Sequence, residues 1–246
     1  MKLTPHISLV GSGRMGFGIS HELDCHVYLL DGGGELALLD AGCGIEPERI
    51  VANIETDGHD PSTITKLLLT HAHADHSGGS RFWHDTFGVE VHCSSKSAGF
   101  LKHGNEEGIS LDVARKAGMY PEGFPFQACS VAGGLKEGDT LTIGNLIISV
   151  METPGHADDA VCYRFSLDDK ECLASGDLIF FGGKIALLST HDCCIPDYSA
   201  SIRRLAGQKI DALLPGHLVI PLSGAQTHIE KAALKFRLLG VPEGIA

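Results

Sequence analysis

No run of basic residues occurs anywhere in this chain: 19 Lys and Arg are scattered among 31 Asp and Glu, for a formal net charge of −12. A surface of that sign repels a phosphate backbone, which excludes nucleic acid as a partner or substrate. No apolar stretch reaches the roughly 20 residues that a membrane-spanning helix requires, so no membrane association is expected. Only Lys2 precedes the short apolar piece Ile7–Val10, too little for a secretory leader, and a cytoplasmic protein is expected. The eight cysteines, at positions 25, 43, 93, 129, 162, 172, 193 and 194, follow no regular framework. Several lie in apolar runs, so they are read as reduced core thiols. Adjacent cysteines seldom pair with each other, and Cys193-Cys194 is read as packing.

What the chain does have is concentrated in Thr70–Gly79, T-H-A-H-A-D-H-S-G-G, directly after the apolar run Leu67-Leu68-Leu69. Imidazoles with a carboxylate are the donors preferred by Zn²⁺ and other borderline divalent ions. Side chains two apart at the end of a strand point the same way, so His71 and His73 can grip one ion. Asp75-His76 falls where the chain turns before Gly78-Gly79 and can aim at a neighbouring point. One short cluster therefore has the spacing to serve two ions.

The string H-x-H-x-D-H followed by Gly-Gly resembles the signature of the metallo-β-lactamase superfamily, which includes glyoxalase II-like thioesterases, lactonases, lactamases and persulfide dioxygenases. The resemblance extends to His156 in T-P-G-H, Asp177 in S-G-D and His217 in L-P-G-H, and runs from the Val27–Gly42 segment to His217. It implies an α/β fold, a four-layer αββα sandwich, in a single domain of two pseudo-repeated halves, about 1–130 and 131–246. It also implies a ligand set: His71, His73 and His156 on one ion, Asp75, His76 and His217 on the other, and Asp177 bridging. Zn²⁺ is the expected metal, with Fe or Mn as alternatives. Asp40 of Asp40-Ala41-Gly42 is implied to be a structural hydrogen-bonding residue rather than a ligand.

The implied chemistry is hydrolysis of an acyl bond in a small-molecule thioester, ester or lactone, with Asp75 orienting the nucleophile and able to accept its proton. Departures from subfamily patterns narrow the class. Asp177 argues against true lactamases, and Phe180 stands where acyl-homoserine lactonases usually carry Tyr. Only 29 residues follow His217, too few for the helical extension of glyoxalase II proper. F-F-G-G-K replaces the Arg- and Cys-containing stretch of persulfide dioxygenases. The alternatives are a mononuclear iron dioxygenase of sulfur substrates built on His71, His156 and Asp177, or with His73 in place of one of them, and a non-catalytic metal-binding member. His191 and Phe180 are candidate substrate contacts.

Along the chain, G-S-G-R-M-G-F-G at 11–18 matches a dinucleotide pattern in letters, but no helix of the right pattern follows, so residues 11–24 are read as a loop overhanging the site. Strands are predicted at Cys25–Leu30 and Glu35–Leu39, turning at Asp31–Gly34, then at Thr63–Thr70 and Val89–Cys93. In the second half the predicted strands are 139–143, 146–151, 160–165, 171–174 and 210–214. Helices are predicted at Pro47–Thr56, at Ser80–Phe87 continuing from His76–Gly79, near Ile109–Lys116, and at 198–206 and 225–238. Residues 96–130, with Met119, Tyr120, Phe124 and Phe126, are either pocket wall or ordinary core.

Overall fold

A computed structural model describes residues 1–245. Two sheets form its centre. The first runs in the order β1 (Ile7–Gly11), β2 (Val27–Asp31), β3 (Leu36–Leu39), β4 (Ile64–Leu68), β5 (Glu90–Ser94) and β6 (Gly133–Leu135). Its pairing is antiparallel from β1 to β3 and parallel from β3 to β6. Helices α1 (Glu48–Thr56), α2 (Ala74–Ser77), α3 (Ser80–Phe87), α4 (Ser95–His103) and α5 (Leu111–Lys116) are threaded between its strands in sequence. The second sheet has the spatial order β11 (Ala212–Pro215), β10 (Lys170–Gly176), β9 (Val161–Leu167), β8 (Leu146–Glu152) and β7 (Thr140–Ile143). Helices α6 (Ile195–Leu205) and α7 (Ala225–Arg237) complete that half.

The two-residue period of a strand explains the layering. In β2, Val27 and Leu29 join a core with Ile50 and Ile54 of α1 and Trp83 of α3. The alternate residues Tyr28 and Leu30 join the core between the sheets, with Ile148, Val150, Tyr163 and Phe165. In the second sheet Leu173 and Leu213 face α6 and α7 through Tyr198, Ile202, Ile229 and Ala233. Their neighbours Cys172, Ala174 and Leu214 belong to the middle core. Three apolar layers thus separate helices, sheet, sheet and helices, the expected αββα sandwich.

The predicted hairpins hold. Asp168 and Asp169, both at positive φ, turn β9 into β10, and Gly144-Asn145 turns β7 into β8. Three elements are not expected from the sequence. Ile7–Gly11, read only as a short apolar piece, is an edge strand on β2. Within the irregular stretch 96–130 lies α4, capped by the Ser94 hydroxyl, which accepts from Ser97 N. Gly133–Leu135 pairs with β5, so the first sheet continues past residue 130.

The helix expected to run on from His76 into Ser80–Phe87 is instead broken between α2 and α3. At Gly78 a Cβ would lie 2.2 Å from the Cys43 carbonyl oxygen. Only glycine lets the loop at Cys43 approach this bend so closely. No helix among the described residues is long and apolar enough to cross a membrane. All eight cysteines are free thiols, six of them buried. Cys193 Sγ accepts from Leu188 N at 3.4 Å, and Cys194 N donates to Gly155 O at 2.8 Å.

Candidate metal centre

The residues of interest sit at strand ends along one rim of the sandwich. His71 and His73 follow β4, Asp75 and His76 lie in α2, His156 is in the connection from β8 to β9, Asp177 follows β10 and His217 follows β11. All seven converge. Donor atoms of His71, His73 and His156 lie within 4.8 Å of one another, as do those of Asp75, His76 and His217, and those of His71, His76 and Asp177. Six of the seven are buried, and Asp75 is partly exposed. The Asp177 carboxylate stands between the groups, 3.4 Å from His76 Nε2, 3.6 Å from His156 Nε2 and 3.4 Å from His217 Nε2.

The outward nitrogen of each of four rings is anchored, which fixes where the other nitrogen points. Asp40 accepts from His76 Nδ1 at 2.9 Å and from Thr70 N at 2.8 Å. The Thr70 hydroxyl donates to Asp40 at 2.9 Å, so it can only accept from His71 Nδ1, 3.1 Å away. His156 Nδ1 donates to Ala186 O at 2.9 Å, and that carbonyl is held by Tyr198 OH at 2.8 Å. His73 Nε2 donates to Asp192 at 2.8 Å. The structural role expected of Asp40 is thus visible in its contacts.

These anchors leave inward atoms without partners. His71 Nε2, His76 Nε2 and Asp177 Oδ1 are buried and make no hydrogen bond. His73 Nδ1 and His156 Nε2 face each other at 3.0 Å, and once each ring spends its proton on the other side, both carry lone pairs. Unsatisfied buried acceptors are costly, and opposed lone pairs more so. Cations placed among them would satisfy all of these atoms, and an imidazole-carboxylate donor set suits borderline divalent metals.

The electrostatics point the same way. Burial and the surrounding imidazoles hold His71 well below the ordinary histidine range, and burial brings His156 down to about 4. Burial also opposes charge on His217, but Asp177 and Asp75 outweigh it and raise the ring to about 9. His76 is likewise driven well up, against its burial, by Cys25 and by Asp75, Asp40 and Asp177. Asp75 and Asp177 stay far below the usual carboxylate range despite burial, because His76 and His217 stand against them. Burial also opposes charge on His73, but the bond to Asp192 outweighs it, so nearby carboxylates raise three of the rings, His73, His76 and His217.

Above the cluster opens a cavity of about 260 Å³. Met15, from the glycine-rich loop expected to overhang the site, lines it, and Met15 O accepts from Leu218 N beside His217. The aromatic stretch divides. Met119 and Tyr120 line the cavity, whereas Phe124 is buried in the outer core. The Tyr120 hydroxyl donates to Asp75 Oδ1 at 3.1 Å.

The two expected substrate contacts sit elsewhere. The Phe180 ring is fully buried behind His217, with centroids 6.4 Å apart, and is not among the cavity walls. His191 is exposed, its Nδ1 on the Ser110 hydroxyl at 3.2 Å, and the residue beside it, Asp192, is the one that reaches His73. Asp192 also accepts from Ser110 Oγ at 2.8 Å. Sequence reasoning missed Asp192 and Gly216, and it placed Tyr120 only as pocket wall or core rather than as a partner of Asp75. At Gly216 a Cβ would lie 2.2 Å from Asp177 Oδ1 and 2.5 Å from His76 Cε1, so the L-P-G-H string carries a steric requirement as well as a histidine.

Comparison with known proteins places this geometry. The chain is 29% identical over 209 residues to acyl-coenzyme A thioesterase MBLAC2 of Gallus gallus, covering 78% of this chain and 72% of that protein. It is 31% identical over 147 residues to hydroxyacylglutathione hydrolase of Rhodopseudomonas palustris (strain BisB18), covering 60% of this chain but only 44% of that protein. Among solved structures, BJP-1, a subclass B3 metallo-β-lactamase of Bradyrhizobium japonicum, superposes with a TM-score of 0.72 at 23% identity, over 97% of this chain and 92% of that one. That likeness is one of fold. Residues 22–217 match the model of the metallo-β-lactamase superfamily, and the chain belongs to that superfamily.

Proposed function

We propose that this protein is a metal-dependent hydrolase with a dinuclear centre, acting on the acyl bond of a small-molecule thioester, ester or lactone. The observation that carries the reading is the set of inward atoms without partners, His71 Nε2, His76 Nε2 and Asp177 Oδ1, at the meeting point of two donor groups. His71, His73 and His156 would hold one ion, Asp75, His76 and His217 the other, and Asp177 would serve both. Zinc suits this set best, with Fe or Mn as alternatives. Thioesterases and a hydroxyacylglutathione hydrolase among the relatives support the reaction class.

Two such ions, when bound, supply a hydroxide at neutral pH and Lewis acidity towards the acyl carbonyl. The chain's own residues do the rest. Asp40, Asp192 and the Ala186 carbonyl hold three rings in orientation, as outer partners of metal-binding histidines do. Tyr120 fixes Asp75, which would orient the attacking water and accept its proton. Being held anionic by His76 and His217, Asp75 acts as an orienting group before it acts as a base. The apolar walls limit the water that reaches the acyl group. A single iron on His71, His156 and Asp177 would leave Asp75, His76 and His217 gathered within 4.8 Å to no purpose, which favours the dinuclear reading.

The test is elemental analysis of protein purified without added metal or chelator, followed by assays on thioesters, esters and lactones. Close to two zinc ions per chain and chelator-sensitive hydrolysis are expected. One iron per chain with oxygen consumption on a sulfur substrate would overturn the reading.

A further inference from the structure

The cavity differs sharply from the cluster beneath it. Every ionisable side chain on its lining, His73, Asp75, Tyr120, His156, Asp177 and His217, belongs to the cluster or bonds to it, and among the described residues no Lys or Arg lines it. The remaining wall is nearly all aliphatic. Leu111 and Ala114, three residues apart on α5, form one side, and Leu187 and Leu188 another. Ile245, on the tail of the chain, lines it as well. That tail is docked by a parallel bridge: Ile185 N donates to Glu243 O at 3.0 Å, and Ile245 N donates to Ile185 O at 3.1 Å. Of the three other hydroxyls on the lining, those of Ser110, Ser189 and Thr190, the first is already engaged by Asp192 and His191.

Such a chamber selects by charge and length. An apolar wall binds methylenes, and a remote carboxylate would be taken out of water with no cation to meet it. A methylene needs about the room of a water molecule, roughly 30 Å³, and the 260 Å³ is shared with whatever the cluster's donors hold, so about eight such units, the reacting carbonyl included, is its upper bound. Resting on the acyl-hydrolase reading above, we propose that the acyl group accepted here is an uncharged, linear aliphatic chain of about four to eight carbons. The thiol or alcohol part leaves through the open mouth, and Ile245 and Leu188 set the length and charge limits. Hydrolysis of such a thioester adds water across the acyl carbon–sulfur bond and yields the fatty acid and the free thiol.

The test uses the metal-loaded full chain and one constant thiol carrying acetyl to dodecanoyl groups, with adipoyl as the charged counterpart of hexanoyl. We expect kcat/KM to rise about fourfold per methylene up to about hexanoyl or octanoyl and then to fall. Hexanoyl should exceed adipoyl by about a hundredfold or more. Leu188→Lys should reverse much of that charge preference, and Ile245→Trp should move the optimum to a shorter chain. A flat length series, or adipoyl turned over as well as hexanoyl, would overturn the proposal while leaving the hydrolase reading standing. Calorimetric titration with uncleavable thioethers, hexyl against carboxypentyl, reads the same preference without turnover. If the thioethers show it and no acyl compound is hydrolysed, the acyl-hydrolase reading fails and the proposed substrate with it. If they do not distinguish hexyl from carboxypentyl, the chamber does not select as described.

Discussion

Strand β3 is flanked by a carboxylate on each side, and the two have different surroundings. Glu35, immediately before the strand, accepts from Lys66, from Thr65 and from Gly144 N at the β7–β8 turn, the last at 2.8 Å. Its charge is neutralised by a lysine of the neighbouring strand, and its contacts tie one sheet to the other. Asp40, immediately after the strand, accepts from Thr70 and His76 and has no lysine or arginine among its hydrogen-bond partners. The protein balances its own charge at one end of the sandwich. At the other end Asp40, Asp75 and Asp177 are gathered around histidines instead.

If that contrast is right, damage at the two ends has opposite signatures. The largest effect is expected from Asp177→Asn, which weakens the shared carboxylate: turnover should fall by on the order of 10³ or more. Metal content should drop while the circular dichroism spectrum stays native. Retained activity in that variant would break the site assignment. Next comes Gly216→Ala, whose new Cβ must displace Asp177 or His76, because it would lie 2.2 Å from Asp177 Oδ1. A large loss of activity with a modest loss of stability is expected, read by kinetics beside a urea titration.

Asp192→Asn is milder. It keeps the shape and removes the charge that orients His73, so a loss of about 10–100-fold in metal affinity or activity is expected. A metal-competition titration checks it.

The smallest effect lies at the far end. Glu35→Gln should leave turnover unchanged and cost about 1–2 kcal/mol of stability at pH 7. The sign with pH follows from the direction of the shift. Bonds from Lys66, Thr65 and Gly144 lower the Glu35 carboxyl to about 2, below its unfolded value. The contribution is therefore fully present above about pH 4.5 and is lost as pH falls towards 2. The difference in urea midpoint between native and variant protein should shrink over that range. A difference that grew on acidification would contradict the contacts assigned to Glu35.

The sequence made the floor of the site legible and left its walls obscure, for a physical reason. His71, His73, Asp75 and His76 are bound to local spacing in one strand-turn-helix segment, and His156, Asp177 and His217 each occupy a short turn after or between strands. Such positions leave a mark in a linear string. Tyr120 and Asp192 meet the cluster only because residues 45 and 119 positions away fold against them, and nothing periodic surrounds either. His191 drew attention as the ionisable ring, yet the backbone presents its neighbour to the centre. Among the elements, Ile7–Gly11 is a buried edge strand of only five residues. α4 contains Gly99 within S-K-S-A-G-F-L-K-H and so lacks a clear apolar stripe. The long helix α7 was readable because one face of it is buried, and the paired strands of the second half because apolar runs are joined there by turn residues, Gly144-Asn145 and Asp168-Asp169.

The Thr70 hydroxyl stands between the two donor groups. It accepts from His71, of one group, and donates to Asp40, which holds His76 of the other. Neither group has wholly private support, so a disturbance on one side is passed to the other through a single oxygen atom. The two donor groups are in this sense one mechanical unit, although their members are spread along the chain from His71 to His217.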